Sequence, residues 1–260
     1  MTDKNHKVSI ITVCLNSENL IEKTIKSVIT QTYPNIEYIL IDGKSTDNTM
    51  NIIKKYESSI NIIVSEKDNG IYDAMNKGAQ LANGDIIHFL NSGDYLYDKS
   101  TMEKVINEAK KSSFWDIIYG DILYYDNNGS KYYLGPKNDI VEIMSRGINH
   151  QSILTRKSVF DRCGYFDTEF KIFSDFDWLI RCLTRCNIKI KKVELPITYY
   201  LRGGLSENYC NEYIHEKYEI ITKYAKLYQL IKYAQLHPIE FYRYLKYGYI
   251  PKLLNWNSES

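Results

Sequence analysis

The stretch Gly84-Asp85-Ile86-Ile87-His88-Phe89-Leu90-Asn91-Ser92-Gly93-Asp94 decides the fold of this 260-residue chain. Its apolar residues 86–90 predict a short buried strand, and the four residues after them predict a polar turn. In an open α/β sheet, ligands bind in the crevice beyond the carboxyl ends of the strands. Asp94 would stand there and is a candidate ligand of Mg²⁺ or Mn²⁺, which prefer oxygen atoms. The alternative is an ordinary turn, since Asn, Ser, Gly and Asp favour turns for backbone reasons alone.

Strands and helices alternate through the first half of the chain. Residues 8–14 are β-branched and almost continuously apolar, which is typical of a parallel strand covered on both faces. A helix is predicted to begin at Asn16-Ser17-Glu18 and to end at Tyr33-Pro34. Further strands are predicted at residues 36–41, 60–64 and 86–90, and further helices near residues 52–56 and 71–82. The alternation predicts an α/β fold with a mainly parallel sheet.

Three acidic residues, Asp42, Asp68 and Asp94, each follow a predicted strand. Because the carboxyl ends of parallel strands meet at one edge of a sheet, we expect these residues on a common rim. An ordinary turn explains one such residue, but three on the same rim favour a binding site.

The pattern becomes less regular after residue 112. Asp126-Asn127-Asn128-Gly129 is predicted to form the turn of a β-hairpin. Short strands are predicted at residues 115–119, 122–125, 131–134, 188–193 and 197–201. These short strands and the loops between them predict a second half that is built differently from the first.

The run Ser174-Asp175-Phe176-Asp177 opens a predicted helix. Ser174 and Asp177 fit a capping box, in which the first side chain and the acid three residues later satisfy free N–H groups. Asp175 is not needed for that cap. The helix dipole favours a negative charge in the first turn, so Asp175 would be held ionised and is a candidate general base. A first-turn acid that serves the dipole alone is an equally good interpretation.

Composition narrows the class of protein. The 33 Lys and Arg balance 32 Asp and Glu to a formal charge of +1, which gives no support for a nucleic-acid-binding protein. Five cysteines, an odd number, predict reduced and mostly buried thiols, and a metal pair at Cys182 and Cys186 is disfavoured because no second pair lies nearby. No signal peptide and no membrane-spanning run is recognisable, so the sequence predicts a cytoplasmic protein.

The chain from residue 211 onward has a helical pattern rich in Tyr and Lys. Residues 224–233 are typical of a helix at an interface between apolar and wet surroundings, which predicts contact with a membrane surface through residues 211–256. Packing of the same residues onto the main domain is the alternative. The predicted domains are therefore residues 1–205 and a helical extension at residues 206–260.

Several ordered motifs resemble those of family 2 glycosyltransferases, which have the GT-A fold. They lie at residues 8–16, 39–49, 66–78, 84–85 and 89–94, and include Asp42-Gly43-Lys44-Ser45-Thr46-Asp47 and Gly70-Ile71-Tyr72-Asp73-Ala74-Met75-Asn76-Lys77-Gly78. The resemblance covers residues 7–205. The variants of these motifs, with His150-Gln151 and Ser174-Asp175, are most similar to bacterial enzymes that build O-antigen or capsular polysaccharide.

The resemblance implies a role for each matching residue. Asp42 would bind the base of a nucleotide, Asp94 would hold a Mn²⁺ or Mg²⁺ ion at the diphosphate, and Asp175 would be the catalytic base. The nucleotide-binding residues that it implies are Thr12, Cys14, Asn16, Asp42, Asp68, Gly70 and Asn76. Many relatives have Asp-Ser-Asp-Asp where this chain has Asn91-Ser92-Gly93-Asp94, so only one carboxylate remains, and His150 is a candidate for a further metal ligand.

The implied activity is inverting, metal-dependent transfer of a sugar from a nucleotide-sugar donor, with UDP favoured, to a lipid-linked oligosaccharide. The alternative is a catalytically silent sugar- or nucleotide-binding module of the same fold. A nucleotidylyltransferase or a Rossmann dehydrogenase is disfavoured, because each needs a glycine-rich loop after the first strand, where this chain has Cys14-Leu15-Asn16-Ser17-Glu18.

Overall fold

A computed structural model describes residues 6–111, 114–126, 129–203 and 213–246. Within these ranges nine strands form one sheet. The strands are β1 (Val8–Cys14), β2 (Ile36–Asp42), β3 (Ile62–Ser65), β4 (Ile86–Phe89), β5 (Tyr95–Leu96), β6 (Ile117–Asp126), β7 (Gly129–Tyr133), β8 (Ile153–Arg156) and β9 (Ile190–Leu201). The spatial order is β3-β2-β1-β4-β8-β6-β9-β5, with β7 paired to β6.

The first four strands are parallel, as the alternating pattern predicts. β1 lies between β2 and β4, and β2 carries β3 on its outer edge. The later strands join the same sheet: β8 is antiparallel to both β4 and β6, whereas β6 and β9 run parallel. The predicted α/β class with a mixed, mainly parallel sheet is therefore confirmed.

Helices cover both faces of the sheet. Those described are α1 (Ile21–Ile29), α2 (Thr49–Lys54), α3 (Ile71–Leu81), α4 (Thr101–Lys110), α5 (Ile140–Arg146), α6 (Lys157–Cys163), α7 (Ser174–Arg185), α8 (Ile214–Tyr224), α9 (Leu227–Leu236) and α10 (Pro238–Lys246). Buried residues of α1, α2 and α4 share one core layer with one face of the sheet, and those of α3 and α5 to α9 share the other. The apolar strands are covered on both sides, which explains their nearly continuous hydrophobic character.

Two pairs of predicted short strands are in fact two long ones. The strands predicted at residues 115–119 and 122–125 both overlap β6, which begins at Ile117, and those predicted at residues 188–193 and 197–201 both overlap β9, which begins at Ile190. The two strands stay paired across a register shift on either side of Asp121. Gly120 permits their approach, since a Cβ atom there would stand 2.4 Å from the Leu195 carbonyl oxygen. The hairpin turn predicted at residues 126–129 includes residues 127 and 128, which lie outside the described ranges.

The first helix begins later than predicted. Asn16, Ser17 and Glu18 precede α1, which starts at Ile21. Asn16 has a φ of 47°, and its side-chain oxygen accepts a hydrogen bond from the Thr46 N–H at 2.9 Å. The residues expected to open the helix instead hold the loop after β2, because Asn tolerates left-handed backbone and satisfies nearby backbone groups.

The first described helix of the predicted C-terminal extension, α8, packs in the main core. Tyr218, Ile220, Ile221 and Tyr224 of α8 are buried in the same layer as α7. The alternative of packing on the domain thus describes α8, while the domain boundary near residue 205 stays a prediction because residues 204–212 are not described. In the described part of the chain, no helix combines the length and the apolar character needed to cross a bilayer.

Candidate active site

One cavity of about 400 Å³ opens where β4 and β9 end. Seven of its polar lining residues come from four places: the turn after β4, the short 3-10 helix His150–Ser152, the first turn of α7 and the end of β9. These residues are Asn91, Ser92, Asp94, His150, Gln151, Asp175 and Arg202. The position agrees with the expectation that a ligand binds beyond the carboxyl ends of the strands.

A hydrogen-bonded chain crosses this cavity. His150 Nδ1 lies 2.9 Å from Asp175 Oδ2, and His150 Nε2 lies 3.0 Å from Asn91 Nδ2. Because the Asn91 amide nitrogen can only donate, it bonds the lone pair on Nε2 and leaves the ring proton on Nδ1, which donates to Asp175. The predicted base is therefore connected through His150 to the turn that contains Asp94.

Tyr72 contacts the other oxygen of Asp175. Its hydroxyl lies 3.1 Å from Asp175 Oδ1 and 2.5 Å from the Ile172 carbonyl oxygen. Burial, and then the charge of Asp175, raises the pKa of Tyr72 well above its ordinary value, so the phenol keeps its proton. That single proton is shared between the two acceptors, with the shorter contact to Ile172. The Phe176 N–H also donates to Asp175 Oδ1 at 2.9 Å. These contacts fix the orientation of the carboxylate while it stays partly exposed to the cavity.

Asp94 is more deeply buried than Asp175. Its carboxylate accepts hydrogen bonds from the Leu201 N–H and from Gln151 Nε2, each at 3.0 Å. Burial raises the pKa of Asp94 to about 6 from its usual value, although these donors and the nearby His150 oppose the shift. A glycine suits position 93, where φ is 101° and a Cβ atom would stand 3.1 Å from Leu201 Cδ2.

Three of the predicted nucleotide-binding residues lie beneath the surface. Thr12 is fully buried and donates to the Leu90 carbonyl oxygen at 2.8 Å. Asp42 is also fully buried and accepts hydrogen bonds from the Ser45 N–H and from the Ser65 hydroxyl. The Cys14 thiol lies 3.7 Å from Asp42, and burial together with that carboxylate raises its pKa. These contacts stabilise the fold at the ends of β1 and β2. Binding of a nucleotide by the three residues stays a prediction.

The other four predicted nucleotide-binding residues lie at the ends of β1 and β3 and on α3. Asp68 accepts a hydrogen bond from the Gly70 N–H at 3.0 Å, and Asn16 is exposed. Both polar atoms of the Asn76 side chain bond the backbone of Phe166. None of these seven residues lines the cavity. Of all the predicted site residues, the cavity brings together Asp94, His150 and Asp175.

Comparison with known proteins identifies the family. The family model described as Glycosyl transferase family 2 matches residues 9–175. The chain belongs to glycosyltransferase family 2. A PGL/p-HBAD biosynthesis glycosyltransferase of Mycobacterium tuberculosis is 30% identical over 203 residues, which are 76% of this chain and 78% of that protein.

Solved structures share the fold of this family 2 glycosyltransferase. S. aureus TarS 1–349 in complex with UDP-GlcNAc matches with a TM-score of 0.69 and 19% identity, covering 92% of this chain and 72% of that one. The chain spans only 40% of a longer TarS chain. The mannosyltransferase PcManGT of Pyrobaculum calidifontis, in complex with GDP-Man and Mn²⁺, matches with a TM-score of 0.66 and 13% identity, covering 86% and 66%.

The oxygen atoms around Asp94 fit a hard cation. Asn91 Oδ1, Ser92 Oγ and Gln151 Oε1 are buried and have no hydrogen-bond partner among the described residues. Mg²⁺ and Mn²⁺ accept such a set when substrate phosphates supply the remaining ligands. The described ranges contain no cluster of three His, Cys, Asp or Glu side chains suited to a metal. His150 as a further ligand stays a prediction; in this structure both of its ring nitrogens are hydrogen-bonded.

The capping box predicted at α7 is wrong. The residue at the N-cap is Phe173, and no side chain caps the helix. Ser174 Oγ donates to the Asp167 carbonyl oxygen, and Asp177 is buried against Arg181 at 3.4 Å. Both side chains therefore make contacts with other residues instead of capping the helix.

The sequence does not predict Gln151 and Tyr72 as partners of Asp94 and Asp175, the two candidate acids of the site. Gln151 follows His150 directly in a resembling motif, and Tyr72 lies in another, but local sequence does not show that the two motifs meet the acids. A contact between Tyr72 and Asp175 joins residues 103 positions apart. Only the folded chain reveals it.

Proposed function

We propose that this protein is an inverting glycosyltransferase that moves a sugar from a UDP-sugar to an oligosaccharide acceptor in bacterial surface polysaccharide biosynthesis. The observation that supports the proposal is the convergence of Asp94 and Asp175, 81 positions apart in the sequence, on one cavity of a family 2 glycosyltransferase. The mycobacterial relative, by its name a glycosyltransferase of PGL/p-HBAD biosynthesis, supports the biosynthetic setting.

Asp175 is the base in this mechanism. It takes the proton of the acceptor hydroxyl as that oxygen attacks the anomeric carbon. Tyr72 and the Phe176 N–H hold one carboxylate oxygen and His150 holds the other, so the group is oriented before the substrate arrives. A single base opposite a single leaving group gives direct displacement, and the anomeric configuration inverts.

A divalent cation completes the donor side. Asp94, with the unpaired oxygen atoms of Asn91, Ser92 and Gln151, would hold Mn²⁺ or Mg²⁺. When bound, the ion neutralises charge that develops on the leaving diphosphate. Complexes of TarS with UDP-GlcNAc and of PcManGT with GDP-Man and Mn²⁺ support a nucleotide-sugar donor and a metal in this fold.

The acceptor is lipid-linked in this proposal, and the enzyme meets it at the inner face of the cytoplasmic membrane. Large apolar side chains near the end of the described chain support it: Leu236, Ile239 and Tyr242 are 57%, 74% and 69% exposed. Arg243, also exposed, follows Tyr242. Apolar and cationic side chains together suit an anionic bilayer surface.

Vesicle binding tests the membrane contact. The protein is expected to sediment with phosphatidylglycerol vesicles, and Ile239→Asp/Tyr242→Asp should weaken binding at least about ten-fold, since each 1.4 kcal/mol is tenfold. Leu134→Asp is the matched control, because Leu134 is 56% exposed elsewhere on the molecule. Equal loss in the control, or no binding by the wild type, would remove the membrane contact from the proposal.

A nucleotide panel tests the donor and the metal together. UDP, GDP, dTDP and CMP are each added with Mn²⁺ and with EDTA while the melting temperature is followed, since a ligand specific to the folded state raises it. UDP is expected to raise it, and only with Mn²⁺. A response to GDP alone would correct the donor, whereas a panel without any response, combined with no sugar turnover, would favour the silent binding module.

A further inference from the structure

Glu216 of α8 lies outside residues 9–175, the part of the chain that the family model matches. Its side chain is buried, at 5% exposure, beside the turn that precedes α7. The carboxylate accepts hydrogen bonds from three consecutive backbone N–H groups: those of Lys171 at 2.8 Å, Ile172 at 3.1 Å and Phe173 at 3.1 Å. One acid from the C-terminal segment thus satisfies a whole turn of the main domain.

This turn contacts the predicted base through one side chain. The carbonyl oxygen of Ile172, whose N–H bonds Glu216, accepts a hydrogen bond from the Tyr72 hydroxyl. The same hydroxyl lies 3.1 Å from Asp175 Oδ1. A continuous path of short contacts therefore runs from Glu216 through the 171–173 turn and Tyr72 to Asp175.

The next residue of α8 also reaches the active site. Lys217 lines the cavity, and its Nζ donates to the Ser145 carbonyl oxygen at 2.6 Å. Lys171, Ile172 and Phe173 line the cavity as well. Docking of α8 consequently shapes the wall of the cavity next to Asp175.

The charge and shape of the Glu216 carboxylate matter for this contact. Hydrogen bonds to a carboxylate are shorter and stronger than those to a neutral amide. A glutamine of the same size keeps one acceptor oxygen but turns an NH₂ group toward backbone N–H groups, so at least one donor loses its partner. A buried donor without a partner is costly, and the turn is expected to move to regain one.

We propose that Glu216 is a positioning residue of the active site, holding the 171–173 turn so that Tyr72 orients Asp175 toward the acceptor hydroxyl. The inference rests on the proposed function of Asp175 as the base. Helix α8, in the C-terminal segment, would thus help to position the base, and this role is separate from any contact with a membrane.

Glu216→Gln tests the proposal through a split between rate and donor binding. We expect the rate of sugar transfer to fall at least about ten-fold, since small displacements of catalytic groups are costly in rate. UDP affinity with Mn²⁺ should stay within about two-fold, because the turn after β4 is untouched. The control is Asp177→Asn, which disturbs a buried acid at the same α7–α8 contact, paired with Lys223 at 3.7 Å, but does not line the cavity.

Two further measurements separate positioning from general destabilisation. Amide hydrogen exchange of residues 171–173 should accelerate in Glu216→Gln and not in Asp177→Asn, whether or not a sugar substrate is known. Tyr72→Phe breaks the same path, so the double variant Tyr72→Phe/Glu216→Gln should lose little more rate than the worse single variant.

The possible outcomes distinguish the proposal for Glu216 from the proposed function. Additive losses in the double variant, an equal loss of rate in Asp177→Asn, or unchanged exchange at residues 171–173 would overturn the proposal for Glu216. A wild-type protein that exchanges slowly at these amides but transfers no sugar would instead contradict the proposed function and leave the contact itself in place.

Discussion

Replacement of Asp175 by asparagine is expected to lower kcat by about 10³-fold while the affinity for UDP and Mn²⁺ stays nearly constant, because general base catalysis contributes about 10²- to 10⁴-fold. Asparagine cannot take the proton of the acceptor hydroxyl. His150 lies between Asp175 and Asn91, so the turn proposed to hold the metal is not in direct contact with the substituted side chain and keeps its own contacts. Steady-state transfer rates together with calorimetric titration of UDP measure the two quantities.

The local structure can accommodate this substitution. The oxygen of the new asparagine can accept from His150 Nδ1, so His150 keeps its proton there and its contact with Asn91 is unchanged. The NH₂ group then faces the Tyr72 oxygen, which can accept from it while the phenol donates to the Ile172 carbonyl oxygen. The Phe176 N–H, in the first turn of α7, loses one acceptor.

Asp177→Asn is again the matched control, since both acids lie in the first turn of α7 and only Asp175 lines the cavity. Its kcat is expected to remain within about three-fold of the wild type. Residual transfer by Asp175→Asn at more than about a tenth of the wild-type rate would exclude Asp175 as the base. Loss of UDP binding in the same variant would mean that the substitution disturbs the donor side, and the rate could no longer be assigned to proton transfer.

The first half of the fold could be predicted because local pattern and tertiary environment agree there. β1 and β2 are mostly apolar and almost entirely buried, so strand bounds from the sequence come within one residue of those observed. The polar turn at Asn91 to Asp94 follows β4 as expected, and Asp94 reaches the cavity. That Asp94 and Asp175 belong to one site came from the family resemblance, since spacing alone does not bring them together.

The second half could not be predicted equally well, because its elements depend on partners distant in sequence. β6 and β9 remain continuous through irregular stretches since each supports the other across the register shift at Asp121. Ser174 and Asp177 match a local capping pattern, but Asp167 and Arg181 hold their side chains. Glu216 belongs to no recognisable motif, and its hydrogen bonds with residues 171–173 become visible only in the folded chain.

Asp94→Asn should abolish the Mn²⁺-dependent response to UDP, because it removes the proposed metal ligand. It should also raise the melting temperature, because the buried Asp94 carboxylate is expected to destabilise the fold. Burial raises the pKa of Asp94 from 3.8 to about 6. Between these values the folded protein binds a proton that the unfolded chain has released, so stability falls as pH rises from about 4 to about 6 and then stays level. The asparagine variant lacks this loss.

The increase in melting temperature of Asp94→Asn over the wild type should therefore be absent below about pH 4 and complete above about pH 6. A shift of this size corresponds to on the order of 2 to 3 kcal/mol, or roughly 5 °C in melting temperature for a chain of this length. The neighbouring Gln151 can support the new amide, because its own oxygen has no partner in the described ranges and can accept from it after the amide turns over. Melting curves across this pH range in EDTA measure the effect without a bound cation, which would favour the ionised form.

Asp98→Asn provides a control of opposite sign. Partial burial raises the pKa of Asp98, but the contacts with Lys104 and Ser100 outweigh it, so the pKa lies below its usual value. A carboxyl with a lowered pKa stabilises the fold above its unfolded pKa, and that contribution disappears as pH falls. Asp98→Asn should consequently melt earlier than the wild type at pH 7, whereas Asp94→Asn melts later. If Asp94→Asn also melts at a lower temperature than the wild type at pH 7 in EDTA, the buried Asp94 carboxylate does not destabilise the fold. A metal-binding role would then no longer be needed to explain a carboxylate at this position.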